Sequence, residues 1–229
     1  MIVEERITSF IRSMNEDVEG IVGEIEQEAI AEEVPIIRPE TREWMKTMLL
    51  IKKPLRVLEV GTAVGFSAIY MSKYLPKGGH ITTIEKWEPR IQKAKENFER
   101  AKVTDCITLL EGDAADRLKE LEEPFDFIFM DAAKGQYIHF LPDVIRLLKT
   151  DGILISDNVL QDGEILDSRY VVTRRNRTIH ARMREYLYVL KHHEQLETSI
   201  LPLGDGVALS VKCLADEWQS DGMNMLVKG

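Results

Sequence analysis

The chain of 229 residues has two cysteines, Cys106 and Cys213, and no apolar run long enough to cross a bilayer, for which about 18 consecutive residues are needed. Two thiols, each inside an apolar stretch, exclude a disulfide framework or a thiolate zinc site and read as strand cysteines. The acidic N-terminus (Glu4, Glu5, Glu16, Asp17, Glu19) also lacks the basic and apolar regions of a signal peptide. A soluble cytoplasmic protein without a membrane partner is therefore expected. Internal repeats and low-complexity linkers are absent as well, and a chain that is 44% hydrophobic can bury one sizeable core.

Positive charge is in short supply overall, with a net charge of −9, which argues against nonspecific binding of DNA by the chain as a whole. The distribution is uneven. Residues 1–34 carry ten acids against Arg6 and Arg12, whereas residues 165–184 carry six arginines against Asp167.

Apolar residues at Ile7, Phe10, Ile11 and Met14, then at Val18, Ile21, Val22, Ile25 and Ala29, recur with helical spacing and predict two amphipathic N-terminal helices. A third helix should follow Pro39. After Pro54 the pattern changes to short buried strands at Leu55–Val60, Ile81–Ile84, Ile107–Leu110, Phe125–Met130 and Ile153–Ile155. Helical segments alternate with them, one with Phe140, Val144, Ile145 and Leu148 on its inner side. Such alternation means a doubly wound α/β sheet, Rossmann-like, with helices on both faces. A helix from about Thr173 to Lys191 shows Ile179, Met183, Leu187 and Leu190 on one face. The segment Leu196–Leu203, Gly204-Asp205-Gly206, Val207–Val211 reads as a closing hairpin, giving about seven strands. The chain thus divides into an N-terminal helical segment (1–53) that covers the site, the main domain (54–214) and a tail (215–229).

The first strand runs into Glu59-Val60-Gly61-Thr62-Ala63-Val64-Gly65-Phe66-Ser67, a turn whose glycines let backbone approach a ligand. Ala63 stands where a dinucleotide fingerprint needs its second glycine, so pyrophosphate binding loses support. Glu85 ends the second strand, where a carboxylate can accept both hydrogen bonds of a ribose diol. Glu111-Gly112-Asp113-Ala114 makes a further turn on the same sheet edge. These stretches resemble the motifs of the class I methyltransferases. The resemblance implies S-adenosylmethionine as cofactor, with Glu59 and Gly61 shaping the methionine pocket, Ser67 at the methionine end, Glu85 on the ribose, and Asp113 with Ala114 framing the adenine. It also implies that backbone around Ile37 closes over the cofactor.

Two further strand ends carry Asp131-Ala132-Ala133-Lys134 and Asp157-Asn158. Two carboxylates and a carboxamide suit a hard cation, magnesium or manganese, and the lack of histidine or cysteine beside them argues against zinc. With the glycine turn this combination resembles the metal-dependent O-methyltransferases of the catechol and caffeoyl-coenzyme A type, over residues 34–213. In that reading Asp131 also borders the cofactor, and Lys134 accepts the proton of an acceptor hydroxyl or stabilises its charge.

The metal requires an acceptor with two adjacent oxygens, which a catechol and a 5-hydroxyuracil both offer. Arg169, Arg174, Arg175, Arg177, Arg182 and Arg184 bear on that choice as a local footprint for phosphates. Arg175 with Arg182, and Arg177 with Arg184, are seven apart and would share a helical face. Through Arg-Tyr-Val-Val-Thr-Arg-Arg-Asn-Arg-Thr the chain is similar to the bacterial tRNA 5-hydroxyuridine methyltransferases. That similarity implies tRNA as partner, with Arg174, Arg175 and Arg177 on it. A small-molecule phenol methyltransferase is the alternative, and a non-catalytic binding protein a third. A homodimer through the N-terminal helices or the Thr173–Lys191 helix is also expected.

Overall fold

The structure, a computed structural model, describes residues 3–168 and 170–213. Arg169 and the tail expected at 215–229 lie outside the described residues. Five strands run parallel: β1 (Arg56–Val60), β2 (His80–Glu85), β3 (Ile107–Glu111), β4 (Phe125–Met130) and β5 (Leu148–Ser156). The hairpin of β6 (Leu196–Leu201) and β7 (Val207–Lys212) adds to them, with β7 antiparallel to β5. The sheet order is β3-β2-β1-β4-β5-β7-β6. The chain winds outward from β1 to β3 on one side and from β4 on the other, so the crevice beyond the C-terminal ends of β1 and β4 is the topological switch point.

Burial of both sheet faces explains the near-continuous apolar strands. Val57 and Leu58, adjacent and fully buried, point into different cores because side chains alternate along a strand. One core is closed by α2 (Gly20–Ala31), α3 (Pro39–Lys52), α4 (Phe66–Ser72) and α5 (Glu88–Ala101). The other is closed by α6 (Ala114–Glu120), α7 (Tyr137–Leu147) and α8 (Arg177–His192). The first helix, α1 (Glu5–Ser13), touches α3, where Arg12 pairs with the nearly buried Glu40 at 2.8 Å, and leaves Ile7, Phe10 and Ile11 exposed.

Three local expectations need correction. Leu148 opens β5 instead of closing the preceding helix, because its backbone pairs with Phe125 on β4. The last helix begins at Arg177, since Thr173–Asn176 forms a turn closed by the Asn176 amide on the Thr173 carbonyl. Its inner stripe is His180, Met183, Tyr186 and Leu190, while Ile179 faces outward. Polar members can lie inside because the Tyr186 hydroxyl meets Ser156 Oγ at 2.6 Å and the His180 ring meets the Asp167 carbonyl at 3.1 Å. Both cysteines are free and half-buried at strand ends, Cys106 just before β3 and Cys213 just after β7.

Candidate active site

The loop from β1 to α4 is shaped by the need to pass close to β4. Gly61 has φ 107°, and a Cβ built on it would stand 2.1 Å from the Asp131 carbonyl oxygen, so only glycine fits. Its amide and that of Thr62 bond the Ile84 carbonyl at 3.1 Å, tying the turn to the end of β2. There Glu85, 8% exposed, accepts the Ala63 amide at 3.0 Å on one oxygen and the Lys86 and Trp87 amides at 2.9 and 3.0 Å on the other. A carboxylate has about four acceptor positions, so three amides fix its orientation and leave capacity toward the crevice. Asp113 caps α6 through the Ala115 amide at 3.0 Å and pairs with Lys86 at 3.2 Å. The Ala115 bond, then Lys86, holds its carboxyl below the usual range.

Beneath this turn Glu59 is completely buried and accepts hydroxyl hydrogen bonds from Ser67 and Thr83, each at 2.5 Å. Burial pushes its carboxyl up to about 8, against the pull of those two hydroxyls.

Asp131 and Asp157 follow adjacent strand ends. The Asp131 amide bonds the Val60 carbonyl at 3.0 Å, and the Asp157 amide bonds the Met130 carbonyl at 2.9 Å. The buried Tyr137 hydroxyl lies 3.0 Å from the Met130 carbonyl and 3.2 Å from that of Asp157, pinning both ends. Burial raises the carboxyl of Asp131, partly offset by Lys134 and Arg90. Burial raises that of Asp157 too, and the negative charge of Asp131 adds to it. Among the described residues neither forms an ion pair within 4 Å. Two like-charged, sheltered carboxylates without a cation of their own, next to the Asn158 carboxamide, form an oxygen donor set that fits a hard divalent ion. No group of three or more His, Cys, Asp or Glu side chains among the described residues could by itself hold a metal.

A cavity of about 830 Å³ joins these parts. On its wall lie Gly61, Glu85, Asp113, Ala114, Asp131, Lys134 and Asn158. Ile37 is buried, while its neighbours Ile36 and Arg38 line the space. Asp157 sits behind the wall, 2% exposed, and Glu59 and Ser67 lie under the glycine turn instead of on the cavity surface. They therefore buttress the turn.

The arginines separate into two groups. Arg177 Nε donates to the Val172 carbonyl at 3.2 Å, Arg182 to that of Gly135 at 3.0 Å and Arg184 to that of Ile165 at 3.0 Å. Arg177 is thus committed to the backbone, and the seven-residue pairing of Arg175 with Arg182 fails because Arg175 precedes the helix. Arg174 and Arg175 are exposed and make no side-chain hydrogen bond or ion pair among the described residues.

Three wall residues escaped sequence reasoning. Trp87 and Arg90, with the guanidinium 5.2 Å from the indole centroid, stand just beyond Glu85. Asp205, taken as a hairpin turn residue, is 3% exposed and its Oδ2 lies 3.5 Å from Lys134 Nζ. Only its place between two glycines hinted at a specific backbone path.

Comparison with known proteins points one way. The family described as O-methyltransferase matches residues 15–213. The catechol O-methyltransferase of Niastella koreensis is 33% identical over 135 residues, covering 57% of this chain and 61% of that protein. That of Mycobacterium tuberculosis is 32% identical over 68% of this chain and 71% of its own length. Among solved structures, a candidate caffeoyl-CoA O-methyltransferase from Staphylococcus aureus superposes with TM-score 0.81 at 29% identity, covering 91% of this chain and 98% of the other. The O-methyltransferase of Bacillus cereus in complex with SAH shares the fold with TM-score 0.80 at 24% identity, over 90% and 97% of the two chains.

Proposed function

Because this chain belongs to the class I O-methyltransferase family, we propose that it moves a methyl group from S-adenosylmethionine onto a hydroxyl held beside a divalent cation, and that the hydroxyl belongs to a 5-hydroxyuridine at the wobble position of a tRNA anticodon loop. The observation that carries the metal-assisted reading is the pair of carboxylates Asp131 and Asp157 on neighbouring strand ends, without an ion-pair partner among the described residues, Asp131 lining one cavity with Asn158 and Lys134 and Asp157 buried just behind its wall. Magnesium or manganese held by Asp131, Asp157 and Asn158 would favour the oxyanion form of the acceptor. Lys134, on the same wall, would hold the departing proton or the oxygen's negative charge. Glu85 would hold the ribose diol, the Gly61 turn would bring backbone to the methionine end, and Asp113 with Ala114 would flank the adenine. The protein's main contribution is then alignment of oxygen, methyl carbon and sulfur.

The acceptor reading rests on Arg174 and Arg175. Exposed cations without side-chain partners among the described residues can neutralise phosphates, and a wobble base in a single-stranded loop can be splayed out of its stack into a pocket at low cost. A second reading is a small catechol, favoured by the names of the relatives from Niastella koreensis and Mycobacterium tuberculosis. The apolar stripe of α1 would be covered by a second copy of the chain. The deciding experiment offers labelled S-adenosylmethionine with tRNA from a strain lacking the gene, and in parallel with catechol. Label in tRNA, at a single anticodon uridine, is expected. Label in catechol alone overturns the tRNA reading and keeps the methyltransferase.

A further inference from the structure

The hairpin between β6 and β7 needs only a tight turn, yet its central residue is treated as no ordinary turn residue is. Gly204 and Gly206 both have positive φ, 58° and 86°. A Cβ on Gly204 would stand 2.5 Å from Thr41 Oγ1, and one on Gly206 would stand 2.3 Å from Leu160 Cγ. The Leu160 amide bonds the Asp205 carbonyl at 3.0 Å and the Val159 amide bonds that of Gly206 at 2.9 Å. Close packing on both sides therefore seats the turn on the segment after β5 and turns the Asp205 side chain inward, onto the cavity wall.

A buried carboxylate is costly unless it is satisfied. Asp205 Oδ1 accepts the Asp162 amide, and Oδ2 faces Lys134 Nζ at 3.5 Å. Lys134 has no other ion-pair partner within 4 Å among the described residues, although Asp131 and Asp157 lie close by. Its long side chain would otherwise sample many rotamers, including ones that bring the ammonium onto those carboxylates. The same Asp162 that bonds Asp205 also faces Arg38 at 3.1 Å, at the start of α3.

We propose that Asp205 is a positioning residue for Lys134, holding its amine over the acceptor position and away from Asp131 and Asp157. This rests on the reading of Lys134 as the group that acts at the acceptor oxygen. Asp205 itself touches neither acceptor nor cofactor in this role, so its removal should lower turnover through Lys134 and through nothing else.

The experiment is a double-mutant cycle with Asp205→Asn, Lys134→Met and the double variant, read by kcat, KM and calorimetric binding of S-adenosylmethionine. Asp205→Asn should lose about 10- to 100-fold in kcat, with cofactor affinity held within about twofold. The double variant should be no slower than Lys134→Met alone. Asp205→Glu, which keeps the charge, should recover part of the loss and serves as the folded reference. Multiplying losses in the double variant, or unchanged kcat in Asp205→Asn while Lys134→Met is slow, overturn the inference. Full activity in Lys134→Met would instead remove the reading on which it rests.

Discussion

The backbone of Gly61 passes so near that of Asp131 that an added methyl group would lie 2.1 Å from the Asp131 carbonyl oxygen. The glycine turn after β1 and the backbone at Asp131 are therefore packed as one unit at the crevice between β1 and β4. Substituting Gly61→Ala brings a clash and a positive-φ strain together and should cost roughly 3 kcal/mol or more. Gly78, with φ 84° but open space around its Cα, isolates the strain, so Gly78→Ala should cost only about 1 kcal/mol. Thermal melting of the two variants checks this, and equal losses would show that the Gly61 contact is unimportant.

The paired aspartates lead to a metal prediction. Full chelation should abolish methyl transfer, and magnesium or manganese should restore it. Metal should also raise the melting temperature of the wild type, since a ligand that binds only the folded state stabilises it. Asp157→Ala should remove both responses while leaving S-adenosylmethionine affinity within a few-fold. Undiminished turnover by demetallated protein would sink the metal assignment.

Much of this was legible in the sequence because parallel strands buried on both faces leave near-continuous apolar runs, as at Phe127–Met130 and Ile153–Ile155, with Glu59 the one charged residue in Val57–Val60. The residues at their C-terminal ends, Gly61, Glu85, Asp131, Asp157 and Asn158, could then be placed on one edge by topology alone. What was not legible depends on folds within folds. Asp205 reaches Lys134 across 71 positions through an antiparallel turn, and no local pattern encodes that approach. Nor does the sequence show that Glu59, which the resemblance places at the methionine pocket, lies under the glycine turn and accepts the Ser67 and Thr83 hydroxyls. Of the two arginine pairings, that of Arg175 with Arg182 misled by spacing, since the helix starts only at Arg177, whereas Arg177 and Arg184 both lie on it.

Glu59 gives a pH prediction whose sign follows from its environment. Its folded-state carboxyl is raised from 4.5 to about 8, so the folded protein binds this proton more tightly than the unfolded chain. The stabilisation is full below about 4.5 and is lost as pH rises through about 8. With magnesium present to keep the aspartates ionised, the wild type should melt several degrees lower at pH 9 than at pH 6. Glu59→Gln, neutral throughout, should lose that slope and match or exceed the wild type at pH 9. Parallel melting curves for the two proteins between pH 6 and 9 would refute the burial argument.

The arginine-rich segment separates stability from recognition. Arg182 and Arg184 donate to the carbonyls of Gly135 and Ile165, so replacing either by alanine leaves an acceptor unsatisfied and should cost about 1 to 2 kcal/mol of stability, with secondary losses elsewhere. Arg174 and Arg175 are exposed and make no side-chain bond among the described residues, so the double change to alanine should leave melting temperature and S-adenosylmethionine affinity nearly untouched. If the acceptor is a tRNA, that same change removes up to two phosphate contacts. Affinity for tRNA should fall, and the slope of log K against log salt should become shallower by roughly 1.5 to 2. Filter binding across a salt series measures both quantities. A double variant with wild-type tRNA affinity and slope would mean that these cations face solvent only, and the acceptor would then be sought among small phenols.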